Sequence, residues 1–214
     1  MKKNRTILAA VVLLLVFVVG ETIAYFTDND TKTNTFTIGN IDITLTEPLW
    51  DLTDTNNNDI PDAAEDMLPG ESVAKDPTIN NVSTKSPAYV FVKVEVPCTT
   101  VTTGTPEEIF TYTVNSGWTE LTVSNSLPVA CTSGGTATHV YYYGSGGTLT
   151  TLAKAVDDST PTSTSTAVFS SVTLRSTLTG NEGLTGNKNI VVTGYGIQTE
   201  GLSSTTPADV WANF

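Results

Sequence analysis

Residues 88–96 constrain the fold of this chain more than any other stretch. In Tyr89-Val90-Phe91-Val92-Lys93-Val94-Glu95-Val96, the valines at 90, 92, 94 and 96 share one face. Lys93 and Glu95 share the other. Successive side chains of a strand point to opposite sides of its sheet. The pattern therefore belongs to a strand buried on one face and partly wet on the other. Pro97 is expected to end its ladder, because proline has no N–H to donate. Thr, Val, Tyr and Phe recur elsewhere in short runs, separated by Gly, Asn, Ser and Pro. Further strands are expected at 35–38 with 41–45, and at 73–80, 109–114, 118–123, 139–143, 167–174 and 189–199. No window carries a helical apolar period, and parallel α/β folds need crossover helices. The expected fold is all-β, a jelly-roll-like antiparallel sandwich of two sheets. The stretches 99–108, 124–137, 157–165 and 176–188 are rich in Thr, Ser, Gly and Pro and read as long loops. Gly144-Ser145-Gly146-Gly147 reads as a hairpin turn.

The N-terminus has the three parts of a secretory signal peptide in order. Lys2, Lys3 and Arg5 give a positive start, 7–19 is an unbroken apolar run, and Thr22 and Ala24 are the small residues before a cut after Ala24. A transmembrane span needs about 20 apolar residues, so an uncleaved anchor is the weaker reading. The expected organisation is a cleaved leader at 1–24, an N-terminal arm at 25–37 and one β-sandwich domain at 38–214. No second apolar span or basic tail is read near Phe214 that would hold the chain to a cell. Removing the leader takes three basic residues and one acid away, which moves the net charge from −12 to about −14. Such a surface repels nucleic acid and anionic lipid, and no basic patch offsets it. The two cysteines, Cys98 and Cys131, both lie in the exported part. An oxidising compartment favours a disulfide between them over two free thiols.

One motif points to metal chemistry. Residues 54–65 read Asp-Thr-Asn-Asn-Asn-Asp-Ile-Pro-Asp-Ala-Ala-Glu. Asp54, Asn56, Asn58, Asp62 and Glu65 place oxygens at positions 1, 3, 5, 9 and 12 of an EF-hand-type loop, and Ile60 at position 7 would lend its carbonyl. Calcium takes 6–8 oxygens, so this spacing suits a structural calcium ion. Position 6 normally carries Gly; here it is Asp59, which tolerates a left-handed backbone better than most residues. An acidic surface loop without metal is the alternative.

Catalysis finds little support. His139 is the single histidine, no His-Glu-x-x-His or Gly-x-Ser-x-Gly occurs, and the cysteines lack a Cys-x-x-Cys spacing. No catalytic residue is assigned. Tyr141-Tyr142-Tyr143 alternates faces on a strand, so either Tyr142 or its two neighbours are expected to be exposed, for a sugar or a neighbouring subunit. Asn81-Val82-Ser83 matches the glycosylation pattern.

Four segments together resemble the TasA/camelysin family of Gram-positive surface proteins, which are processed by the SipW-type signal peptidase. They are Ala24-Tyr25-Phe26-Thr27-Asp28 with Thr35-Phe36-Thr37-Ile38-Gly39-Asn40-Ile41; Leu68-Pro69-Gly70-Glu71-Ser72 leading to Ala74-Lys75-Asp76-Pro77 and Asn80-Asn81; Ala88-Tyr89-Val90-Phe91-Val92-Lys93-Val94; and Gly194-Tyr195-Gly196-Ile197-Gln198-Thr199-Glu200-Gly201. Cys98, Cys131 and the calcium-type loop look like additions to the family pattern. The resemblance implies a secreted jelly-roll subunit that polymerises with copies of itself into biofilm-matrix fibres at the cell surface, with a minor anchoring subunit as a further partner. It also implies that the N-terminal strand of one subunit completes a sheet of the next. Residues 25–37, beginning at Tyr25, would then be the donated arm, with Phe26 and Phe36 as its anchors. Phe26 and Phe36 fall on the same face of an unbroken strand. The competing expectations are a camelysin-type metalloprotease, against which the lone His139 argues, and a monomeric calcium-dependent adhesin.

Overall fold

The longest strand is built on the alternating valines. In a computed structural model, which describes residues 41–50, 54–57, 60–101, 104–157, 163–178 and 188–214, β4 (Ala88–Thr100) is the centre of the largest sheet. Its partners are β12 (Val191–Gln198) on one side and β8 (Thr136–Ser145) on the other, and β7 (Trp118–Glu120) lies beyond β8. Two short strands, β5 (Pro106–Glu108) and β9 (Thr148–Leu149), extend it by pairing with β4 and β8. A second sheet joins β1 (Ile43–Thr46), β3 (Thr78–Asn81) and β10 (Ser163–Thr164). A third joins β2 (Ser72–Ala74), β11 (Ser171–Leu174) and β6 (Phe110–Tyr112). Every pairing between these strands is antiparallel. The architecture is an all-β sandwich.

The core lies on the valine face. Val90, Val92, Val94 and Val96 are fully buried, and they pack in one cluster with Ile79, Val172, Phe169 and Tyr141. Burying each such side chain contributes about 1.5–3 kcal/mol relative to leaving it in water. Ile43 and Leu45 of β1 pack against the same cluster. The opposite face of the large sheet is covered as well. Phe91 is paired in register with Tyr142 and Tyr195, and α1 (Pro207–Trp211) lays Val210 and Trp211 over them. Phe91 and Trp211 ring centroids are 5.5 Å apart, and Tyr195 and Trp211 are 5.0 Å apart. Lys93 and Glu95 share this outer face further along and form an ion pair of 3.0 Å.

Several expectations need correction. Pro97 does not end β4. It stands where one edge of the strand changes partner, since β12 pairs only as far as Glu95 and β5 takes up the same edge from Cys98, while Cys98 N still donates to the Gly135 carbonyl on the β8 side. The missing N–H falls at the handover, where the Pro97 carbonyl still accepts from Ile109 N at 2.9 Å. The 73–80 run divides into β2 and β3 in two different sheets. Lys75, Asp76 and Pro77 separate them, and Pro77 can supply only its carbonyl, which accepts from Val168 N. The tyrosine triplet leaves neither face open: Tyr141 and Tyr142 are each 4% exposed, one in the sandwich core and one under α1. The stretch 99–108 read as a loop instead carries the end of β4 and β5. The glycine turn holds, with Gly146 and Gly147 at positive φ between β8 and β9.

Candidate functional site

The calcium-type loop lies between β1 and β2. Asp54, Asn56, Ile60, Asp62 and Glu65 are described; Asn58 and Asp59 fall outside the described residues. The loop curls back on itself. Thr55 donates from its backbone N and from Oγ1 to the two carboxylate oxygens of Asp62, each at 2.9 Å. Asn56 Nδ2 donates to Glu65 Oε1 at 2.8 Å. Asn57 takes φ +58°, a left-handed value that asparagine adopts more readily than most residues. These bonds bring positions 3 and 12 of the motif into contact and bring position 9 back to position 2. A 3-10 turn at Asp62–Ala64 sets the return. The loop is anchored by apolar side chains. Ile60, Ala64 and Met67 line a cavity of about 330 Å³ with Trp50, Val73 and Phe110. Lys75 sits 4.4 Å over the Trp50 ring and pairs with Glu47 at 2.6 Å. Among the described residues, no group of three or more His, Cys, Asp or Glu is placed to hold a metal ion.

The lone histidine is placed where sequence reasoning assigned it nothing. His139 of β8 is on the core side of the large sheet, between Glu108 of β5 and Glu120 of β7. Its Nε2 is 2.9 Å from Glu108 Oε1, and its Nδ1 is 2.6 Å from Glu120 Oε1. The bond to Glu108 does most to hold its pKa above the ordinary value, burial opposes that rise, and the bond to Glu120 adds to it. Tyr141 lies stacked beside the imidazole, with centroids 6.2 Å apart. Tyr112 OH and Tyr141 OH are 3.0 Å apart, and burial pushes both phenols well above the usual range, so they keep their protons. These groups line an open cleft of about 200 Å³. The two carboxylates sit against opposite nitrogens of one ring, so the three side chains point at no common centre. The separations of 31 and 19 residues leave no periodic trace in the sequence.

The structure joins Cys98 to Cys131, with Cα atoms 5.7 Å apart. The bridge ties the far end of β4 to the loop before β8. Ala24, Tyr25, Phe26 and Phe36 lie outside the described residues. The strand nearest in character to an acceptor is β12. It sits at the edge of the large sheet and, among the described residues, pairs with β4 on one side only. Asn81 is fully buried, and its Nδ2 donates to the carbonyls of Ser86, Leu152 and Ala153. The Asn-Val-Ser pattern is therefore a structural tie rather than an accessible glycan acceptor. Among the described residues, no helix is long and apolar enough to cross a membrane. Helix α1 was missed by periodicity, although Thr206-Pro207-Ala208-Asp209 is a capping signature: the Thr206 side chain accepts from Asp209 N, and proline opens the first turn.

The described residues define an all-β antiparallel sandwich, bridged by one disulfide and edged by an eight-residue strand. The chain belongs to the camelysin metallo-endopeptidase family, whose model matches residues 1–113 and to which TasA also belongs. Comparison with curated proteins found no match, and neither did comparison with solved structures. The family is one of secreted proteins, typically extracellular or surface-associated.

Proposed function

We propose that this chain is an exported structural subunit that polymerises with copies of itself into extracellular biofilm-matrix fibres. The observation that carries the reading is the edge of β12. Its outer N–H and C=O groups lack a described neighbour, and an added strand would satisfy them. Signal peptidase would cut after Ala24 and release residues 25–37 as the arm that one subunit gives to the next. Each added hydrogen bond contributes about 1 kcal/mol net, so Phe26 and Phe36 would have to seat in apolar pockets. A minor subunit would anchor the fibre, and the membrane would be a partner only before cleavage.

The 54–65 loop would hold a structural calcium ion. Asp54, Asn56, Asn58, Asp62 and Glu65 would offer side-chain oxygens, and Ile60 its carbonyl. The curl that brings Asn56 to Glu65 favours that reading. The protease reading is not favoured, because His139 is committed on both ring nitrogens. The direct test is electron microscopy of the processed protein with and without residues 25–36.

A further inference from the structure

We propose that Glu108, His139 and Glu120 form a proton-sensitive clamp that holds the β4–β5 hairpin to the large sheet in acid and releases it when the imidazolium loses its proton. A neutral imidazole has one N–H and one lone pair, whereas the imidazolium has two N–H groups. Here both nitrogens face carboxylate oxygens, at 2.9 Å and 2.6 Å. Only the charged ring can donate to both. On deprotonation, one nitrogen presents its lone pair to a carboxylate, and two negative groups are left flanking a neutral ring.

The neighbours supply no substitute charge. From β6 the facing group is Tyr112, and from β8 itself it is Tyr141; both stay neutral and bond to each other. Arg175, after β11, pairs with Glu107 at 3.0 Å, and its Nε donates to the Glu108 backbone carbonyl rather than its carboxylate. The inner-face neighbour on β4 is Val94, in register with His139. The clamp therefore depends on one proton. Glu108 is the last residue of β5, a three-residue strand, so the clamp acts on the end of a short hairpin. The His139 pKa is raised above 6.5, so the clamp's contribution is complete below about 6.5 and fades as pH rises through the raised value.

The chain has one histidine, so proton NMR of the purified full chain gives one imidazole C2–H titration without assignment. Hydrogen exchange of residues 104–112, expressed as protection factors across the same pH range, reads the hairpin. The expected result is a midpoint above 6.5, with protection falling about tenfold as His139 deprotonates, which corresponds to losing one charge-assisted hydrogen bond. Glu108→Gln provides the control, since its amide can donate to a neutral ring. That variant is expected to keep its protection level through the same range. A midpoint at or below 6.5, or equal loss of protection in wild type and Glu108→Gln, would overturn the clamp.

Discussion

Gly194 of β12 lies directly against Ile79 of β3: a Cβ built at Gly194 would come 2.5 Å from the Ile79 Cδ1 methyl. Two residues on, a Cβ at Gly196 would come 2.8 Å from Ile43 Cγ2. The second sheet thus presses isoleucines into the space left by two missing side chains on the large sheet. Gly194→Val or Gly196→Val should overpack this contact and cost about 1–3 kcal/mol. A thermal melt checks it: Tm should fall by several degrees, since about 2–4 °C follows each kcal/mol in a chain of this size.

The disulfide should be stabilising. It closes a separation of 33 residues, and the chain-entropy account gives about 3–4 kcal/mol for such a loop. Intact mass after alkylation without reductant should show no labelled thiol. Cys98→Ala with Cys131→Ala should lower the urea midpoint; thiols that label freely in the native protein would contradict the bridge.

The C-terminal helix should behave as a lid on the outer face of the large sheet. Trp211 meets Phe91 and Tyr195, and Val210 is fully buried beside them. Trp211→Ala should cost about 2–4 kcal/mol, near the low end of measured Trp→Ala losses because the ring is only half-buried. Fluorescence-detected unfolding measures the loss, and dye binding to the uncovered Phe91 and Tyr195 should rise with it.

The sandwich was legible in residues 88–96 because a one-sided strand must alternate, and Val90 to Val96 took the buried face the pattern assigns. What escaped is what depends on other segments. Pro97 lacks a donor, but whether that ends a strand depends on β5 arriving to take over from β12. One face of the tyrosine triplet was expected to be open because nothing local says that α1 returns to cover Tyr142. The Glu108–His139–Glu120 contact joins three strands at separations carrying no period. Helix α1 is the exception, since its capping residues were visible but its five residues are too few to show a helical apolar pattern.

The loop at 54–65 predicts calcium-dependent stability. At a concentration 100 times Kd, a ligand that binds only the folded state adds about 2.7 kcal/mol, a rise of several degrees in Tm. Asp54→Ala with Glu65→Ala should abolish the rise. No shift in wild type at millimolar calcium would remove the ion from the account.

The central claim is assembly through the N-terminal arm. Negative-stain electron microscopy of the protein cut after Ala24 tests it most directly, with a form lacking residues 25–36 beside it. Fibres from the first and dispersed particles from the second are the predicted result. Dispersed particles from both, or fibres that persist without the arm, would contradict it.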